Sequence, residues 1–255
     1  MRTLRYHYKA FKLVFGLFSK GKYLVYFIPG ILLSLVIWYV QILLSRFSGE
    51  AVLDDETIKK SIEATPDVLI FITDQFYLLI FLTVISPINY LLSNKLDTEL
   101  TSVNHFTSKT EILNSILRMI FVFFIVLFFE FSFLGAWWLF SSLFNLNVIN
   151  PFIYNLVGAF FYGFAFYDFN FNRYNKSTRR SFKFATNYIL TMVFSGFLFI
   201  LLKNIPIVGE YVIAPILTTM ITTVVYLFTI KKYPKKKSSS SIEEKTEEVI
   251  NEPSK

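Results

Sequence analysis

Six long apolar stretches, nearly free of charge, constrain this sequence more than any other feature. Only two of them contain a charged residue, Asp74 and Glu130. The first would extend about 34 Å as a helix, enough to cross a hydrocarbon core of about 30 Å. Because backbone groups in a bilayer must bond internally, and because apolar residues do not alternate with polar ones, the stretches predict helices and not barrel strands. The predicted fold is an all-α integral membrane protein with about six hydrophobic helical segments. They cover residues 23–45, 68–92, 119–144, 151–167, 184–202 and 211–230.

Composition removes several classes of function. Charged residues make up 17% of the 255-residue chain, compared with about 25% in soluble domains. Cysteine is absent, and the two histidines, His7 and His105, lie in separate polar segments. Metal centres, disulfides and thiol chemistry are therefore not expected. The sequence contains no G-x-S-x-G, P-loop, Rossmann or H-E-x-x-H motif, so we expect neither an enzyme nor a cofactor.

The distribution of lysine and arginine predicts the orientation. When the gaps between apolar stretches are assigned alternately to the two sides, 21 basic residues fall on one side and four on the other. The positive-inside rule then predicts that both termini are cytoplasmic. We expect the membrane to be the bacterial cytoplasmic membrane. The net charge of +7 follows from this topology and does not indicate nucleic-acid binding. Residues 231–255 have no apolar periodicity and are predicted to form a disordered cytoplasmic tail.

Residues 1–22 form a basic amphipathic segment that precedes the membrane domain, residues 23–230. Helical spacing collects apolar side chains on one stripe and leaves Arg5, Lys9 and Lys12 off it. Such a helix suits the membrane surface. An ordinary helix packed on the rest of the protein is the alternative. The stripe consists of Leu4, Tyr8, Phe11, Phe15 and Phe18.

Prolines predict broken or partly penetrating helices. The turn between the last two stretches is apolar around Pro206, which favours a helical hairpin whose tip stays within the bilayer. Six simple spans remain the alternative. Pro87 predicts that the second segment is kinked or interrupted, Pro29 and Gly30 predict the same near the start of the first, and Pro215 predicts a break at the start of the sixth. The Asn145–Asn150 segment predicts another short connection.

Five short motifs occur in order along the chain. They are Ile28-Pro29, Ile85-Ser86-Pro87, Tyr162-Gly-Phe-Ala-Phe-Tyr-Asp-Phe169, Ile205-Pro206 and Ala214-Pro215. Together they resemble the CysZ-like sulfate permease family, which includes eukaryotic etoposide-induced endoplasmic-reticulum proteins. The resemblance covers roughly residues 11–233. It implies two long spanning helices, partly penetrating hairpins, a symmetric homo-oligomer and transport of a small inorganic anion.

Lysines before the first long helix are the candidate anion-binding residues. The bacterial permeases resemble one another in an arginine pair at this point, where the present sequence has Tyr23 and Leu24. Lys20 and Lys22 could substitute as point charges. The helix beginning near Pro29 would direct its free N–H groups toward them. Lysines in this position can also serve only to fix topology.

Three polar residues within the apolar stretches are candidates for an intramembrane pathway: Glu130, Asp74 and Gln75. A charge at the depth of Glu130 is costly, which predicts a proton-coupling or gating carboxyl. The alternatives are a neutral acid bonded between helices and, if the helix penetrates only in part, an acid near the interface. Asp74 has interfacial solvation as its alternative explanation. Asp168 is expected to pair with an arginine of the following linker, Arg173, Arg179 or Arg180, while Arg118 extends to the interface.

Two functions therefore remain open from the sequence. One is a transporter or channel-like permease for a small inorganic anion, with sulfate suggested by the resemblance. The other is a non-transporting membrane protein that organises partners or lipids. The lipid bilayer is the expected partner in both cases.

Overall fold

The regular structure is entirely helical in the part of the chain that the computed structural model describes. That part comprises residues 2–47, 67–103, 109–174, 177–205 and 209–230. Short 3₁₀ turns at Leu24–Tyr26 and Asn147–Ile149 precede α2 and α5, and a π-helical turn at Gly209–Ile213 precedes α8. The described helices are α1 (Arg2–Phe18), α2 (Phe27–Phe47), α3 (Asp67–Thr101), α4 (Lys109–Leu143), α5 (Asn150–Arg173), α6 (Thr178–Asn187), α7 (Ile189–Lys203) and α8 (Ala214–Thr229).

Three described helical segments are long and apolar enough to cross a membrane: Leu113–Leu143, Asn147–Arg173 and Gly209–Thr229. Helices α6 and α7 meet at an angle of 92° and could together supply a fourth. All six predicted stretches are mainly helical, but the stretch 184–202 is divided at Tyr188 by the bend between α6 and α7. The protein is therefore a helical integral membrane protein with three to four candidate spans among its described residues, and the prediction of six is not confirmed.

Helix α8 forms the centre of the structure. Buried residues make up 83% of the most apolar window of the Gly209–Thr229 segment, against 33% in Leu113–Leu143. Helices α1, α3, α5 and α7 all contact α8. The outer face of α4 instead exposes large aromatic side chains such as Phe128 and Phe131. Apolar side chains left exposed on a membrane-spanning helix are suited to contact lipid.

Two glycines bring α5 and α7 into the most extensive contact between described helices. A methyl group added to Gly196 would overlap the carbonyl oxygen of Ala159, and one added to Gly163 would overlap that of Met192. Both positions therefore require a side chain no larger than hydrogen. Small residues at such crossings let helix backbones approach closely in membranes.

The amphipathic helix α1 uses a different face from the predicted stripe to contact the protein. Ala10 and Val14 are fully buried, and the ring of Tyr6 lies 5.8 Å from that of Phe228 in α8. The stripe stays outside: Tyr8 is 70% exposed and Phe15 48%. The alternative prediction, a helix packed on the protein, is therefore confirmed for one face of α1. The apolar stripe from Leu4 to Phe15 is not covered by any described residue.

Helices α2 and α3 are continuous at Pro29 and Pro87, so the predicted interruptions do not occur there, whereas the kinks stay a prediction. Pro29 lies in the first turn of α2, where its missing N–H costs nothing, and Pro87 lies inside a continuous α3. Pro215 likewise occupies the first turn of α8. The connection before α5 is confirmed, since α4 ends at Leu143. Pro206, the predicted tail and residues 48–66 lie outside the described residues.

Candidate functional site

A set of buried polar side chains, which we call the polar seam, lies on the facing sides of α3, α5 and α8. Its members from α3 recur every three or four residues, which aligns them on one face of the helix. None of the members is more than 8% exposed. The seam consists of Ser86, Asn89, Ser93 and Asp97 from α3, Asn170 and Arg173 from α5, and Thr218, Thr219, Thr222 and Thr223 from α8.

An ion pair closes one end of the seam. The Arg173 Nε atom lies 2.8 Å from the Asp97 carboxylate, and their side chains are 1% and 0% exposed. The same guanidinium donates hydrogen bonds to Ser93 Oγ at 3.0 Å and to Asn170 Oδ1. Ser93 Oγ lies 2.8 Å from Thr223 Oγ1. Three helices are therefore joined at this ion-pair end by one connected polar network.

Two hydroxyl groups also donate hydrogen bonds to the Asp97 carboxylate. Tyr174 donates a hydrogen bond to the carboxylate at 2.7 Å, and Thr101 donates another at 3.2 Å. Burial, followed by the hydrogen bond to Asp97, raises the pKa of Tyr174, so the phenol keeps the proton that it donates. Because the negative charge of Asp97 compensates the positive charge of Arg173, the net charge at the ion-pair end is zero.

The opposite end of the seam contains polar groups without partners in the described chain. Neither the amide nitrogen nor the amide oxygen of Asn89 is hydrogen-bonded, although the residue is fully buried. The hydroxyls of Ser86, Thr218 and Thr219 are likewise buried without a hydrogen-bond partner in the described chain. A buried polar group without a partner costs about 1–3 kcal/mol, which makes a cluster of four residues unusual.

The two threonine pairs of α8 differ in their bonding. Thr222 donates to the Thr218 carbonyl oxygen at 2.8 Å, and Thr223 donates to that of Thr219 at 2.7 Å. This is the usual internal arrangement of a buried helical threonine. Thr218 and Thr219 do not adopt it. Their hydroxyls therefore remain available for another polar group.

Asn89 and Thr219 lie at the same height along the seam. Ser93 of α3 contacts Thr223 of α8. Closer to the C-terminus of each helix, Tyr174 donates a hydrogen bond to Asp97 of α3, and its ring centroid lies 5.5 Å from that of Tyr226 in α8. Helices α3 and α8 therefore run in the same direction. Asn89 and Thr219 each precede a contacting residue by four positions, or about 6 Å. From Asp97 to Ser86 the seam extends about 16 Å, roughly half of a hydrocarbon core.

The candidate anion residues Lys20 and Lys22 lie at a different place, before α2. The Lys20 side chain is exposed, and Lys22 Nζ lies 3.7 Å from Glu99. Tyr23 donates a hydrogen bond to the same carboxylate at 2.8 Å. The N–H groups at the start of α2 are not all free, because the Phe27 N–H is bonded to the carbonyl oxygens of Leu24 and Val25 in the 3₁₀ turn. An anion at Lys22 would therefore compete with Glu99.

Glu130 is the pathway candidate whose side chain the structure describes. It is only 2% exposed between Phe129 and Phe131, which are more than half exposed, so its carboxyl points away from the outer face of α4. One carboxyl oxygen, Oε1, has no hydrogen-bond partner in the described chain. Asp74 and Gln75 lie in a part of α3 whose side chains are outside the described residues.

The expected pairing of Asp168 with the following linker is wrong. Its carboxylate accepts hydrogen bonds from Arg118 of α4, at 3.0 Å from Nε and 2.8 Å from Nη2. Arg118 also donates to Ser181 at 2.9 Å. Arg173, one of the arginines expected at Asp168, instead pairs with Asp97. Contact between α4 and α5 thus decides the partner, and proximity along the chain does not.

A histidine-centred contact that the sequence did not indicate attaches α1 to α7. His7 Nδ1 donates to the Thr3 carbonyl oxygen at 2.9 Å, which leaves Nε2 to accept a hydrogen bond from Ser195 at 2.8 Å. Burial lowers the pKa of His7, more than its bond to Thr3 raises it. Ser195 is also 3.4 Å from the Tyr167 hydroxyl. The neutral imidazole therefore joins α1 to the buried core.

Two sequence signals could have identified the polar seam. One is the spacing of Ser86, Asn89, Ser93 and Asp97, and the other is the Thr-Thr-Met-Ile-Thr-Thr sequence of residues 218–223 within a charge-free stretch. Counting charges misses them because most are neutral. No protein-family model matches the sequence, and no curated protein matches it significantly. The resemblance to the CysZ-like family therefore rests on the motifs alone.

Proposed function

We propose that this membrane protein is a transporter or channel-like permease for a small inorganic anion. The polar seam is the observation that carries the proposal. A membrane protein gains nothing in stability from several unpaired polar groups at full burial, since apolar side chains would pack there at lower cost. Polar residues inside a membrane are typical of routes for ions or polar solutes. The seam supplies such a route over about half the thickness of the bilayer.

The charge balance of the seam favours an anion over a cation. The Asp97 carboxylate is already bonded to Arg173, Tyr174 and Thr101, so no free carboxylate is offered to a cation within the seam. Among the remaining unpaired groups, the amide nitrogens of Asn89 and Asn170 can only donate hydrogen bonds, the hydroxyls can donate or accept, and the Asn89 amide oxygen can only accept. Sulfate is the substrate that the family resemblance suggests. Lys20 and Lys22 are proposed to attract the anion at the cytoplasmic entry to α2. The attraction by Lys22 is reduced because the Glu99 carboxylate lies 3.7 Å from its ammonium group.

The proposed architecture includes helices that penetrate the bilayer only in part. Helix α7, with 15 residues, extends about 22 Å, shorter than a hydrocarbon core of about 30 Å. Its bend of 92° from α6 supports a hairpin within the membrane. We further propose that both termini are cytoplasmic, on the basis of the basic residues, and that the protein forms a homo-oligomer. The ion-pair end of the seam is then its cytoplasmic end.

Uptake into reconstituted vesicles tests the proposed function. Vesicles containing the purified full-length protein should accumulate radiolabelled sulfate faster than protein-free vesicles. Chloride and nitrate fluxes measured in parallel define the anion preference. Equal rates with and without protein for all three anions would contradict a permease. That result would favour the second function, a membrane protein that organises partners or lipids.

A further inference from the structure

We propose that Asn89, Thr219 and the amide nitrogen of Asn170 form a binding site for a small oxyanion within the polar seam. The inference deepens the proposed permease function and rests on it. It assigns the recognition of the anion to neutral side chains inside the membrane domain. Lys20 and Lys22 at the entry then contribute attraction, while these three residues contribute binding.

Three of the four free groups at this site, the amide nitrogens of Asn89 and Asn170 and the Thr219 hydroxyl, can donate hydrogen bonds, while the Asn89 amide oxygen can only accept. Asn170 uses its amide oxygen to accept from Arg173 and Ser93, so its unpaired nitrogen offers only N–H donors. Asn89 offers two more N–H donors, and the Thr219 hydroxyl can also donate. Sulfate carries no proton at neutral pH and accepts several hydrogen bonds at once. The donor set therefore matches an oxyanion.

Position and burial support a common site. Asn89 and Thr219 each precede one member of the contacting pair Ser93–Thr223 by one helical turn, and Asn170 accepts a hydrogen bond from the same Ser93. Asn89, Asn170 and Thr219 are all 0% exposed. Ser86 and Thr218 add unpaired hydroxyls on the side away from the ion pair. An anion that leaves water would thus meet several replacements for its hydration shell.

The ion pair explains why binding at this site should be weak. Arg173 is the nearest cationic group among the described seam residues, but Asp97 at 2.8 Å compensates its charge. Neutral hydrogen bonds alone offset only part of the dehydration cost of an anion. A permease requires such a balance, since a tightly held ion leaves slowly.

Isosteric variants separate this site from the rest of α8. Thr219→Val and Asn89→Leu remove unpaired polar groups, whereas the matched control Thr229→Val, outside the seam, removes a hydroxyl that is bonded to the Val225 carbonyl oxygen. All three should fold, and the first two should unfold at a higher temperature than the wild type. Equilibrium dialysis of the purified full-length protein against radiolabelled sulfate measures binding, and radiolabelled rubidium tests a cation.

We expect Asn89→Leu and Thr219→Val to weaken sulfate binding about tenfold or more, as loss of one charge-assisted hydrogen bond predicts. Thr229→Val should change it less than about twofold, and rubidium should not bind. If the wild type takes up sulfate but both test variants bind sulfate as well as the wild type does, the site is overturned and the permease is not. Rubidium binding to the wild type would have the same consequence. Variant-sensitive binding without uptake would support the site and overturn transport. Neither binding nor uptake in the wild type would overturn both.

Discussion

Arg173 and Asp97 form an ion pair of 2.8 Å in which neither side chain is more than 1% exposed. The pair joins α5 to α3 at the point where α8 also contributes Thr223 through Ser93. Two charges removed from water are stabilised only while both are present, because each alone would carry a large desolvation cost. The pair consequently makes the arrangement of these helices sensitive to a single substitution.

Replacing Arg173 should destabilise the protein strongly. Arg173→Met leaves the Asp97 charge buried and uncompensated, which should reduce the free energy of unfolding by about 3–5 kcal/mol. Adding Asp97→Asn to this variant should restore part of the loss. Lys22→Met is the control, because its pair with Glu99 is largely exposed and should contribute about 0–1 kcal/mol. Unfolding in detergent measures all of these variants, and equal losses for Arg173→Met and Lys22→Met would contradict the prediction.

Two glycine-to-alanine substitutions should have opposite effects. Gly196→Ala forces a methyl group against the Ala159 carbonyl and should cost about 1–3 kcal/mol through overpacking of α5 and α7. Gly135→Ala meets no atom within 4 Å and should be neutral or stabilise α4 by up to about 1 kcal/mol. Thermal unfolding in the same detergent compares them. A neutral Gly196→Ala variant would show that the helices are not so close.

Acidification should weaken the attachment of α1. Because burial lowers the pKa of His7 in the folded protein, folding favours the neutral imidazole. The stabilisation is complete above the ordinary histidine pKa of about 6.5 and is lost as the pH falls below that value. A nitroxide on Lys9→Cys should therefore become more mobile at pH 5 than at pH 7.5. Adding His7→Gln should abolish the difference, whereas the same pH response after that substitution would implicate another group such as His105.

The exposed stripe of α1 should contact lipid. Phe11 and Phe15 stack on each other with ring centroids 4.6 Å apart on the side away from the core. Because the chain has no cysteine, a single Phe11→Cys nitroxide can report its surroundings directly. Collision with oxygen should exceed collision with a water-soluble nickel complex at this position in vesicles. Lys9→Cys provides the aqueous comparison, and identical accessibility at the two positions would argue against an interfacial helix.

Reporter fusions should distinguish the two sides of the membrane. The uneven distribution of basic residues predicts that a fusion after Tyr233 is cytoplasmic and that one within residues 46–66 lies on the opposite side. An alkaline phosphatase reporter, active only outside the cytoplasm, should therefore give activity at the second position alone. Activity at both positions, or at neither, would contradict the proposed orientation.

Helix positions were predictable from the sequence, but the partners inside the structure were not. Each charge-free stretch became helical because a bilayer leaves the backbone no other local solution. Asp168 illustrates the limit: Arg173 is five residues away in sequence, yet Arg118 reaches the carboxylate because α4 packs against α5. The seam was overlooked for a related reason. Serine and threonine scarcely change the hydropathy of a stretch and asparagine adds no charge to it, so only helix pairing shows that these residues face one another.

The depth of the polar seam has a consequence for the membrane voltage. In a hydrated seam the electrical potential changes little along the roughly 16 Å from Asp97 to Ser86, so it falls mainly across the apolar remainder. Each elementary charge crossing 100 mV gains or loses about 2.3 kcal/mol. An interior-negative cell would therefore oppose the entry of a divalent anion by about twice that amount, concentrated between Ser86 and the far surface. Net uptake would then require coupling to another gradient or rapid consumption of the anion inside the cell.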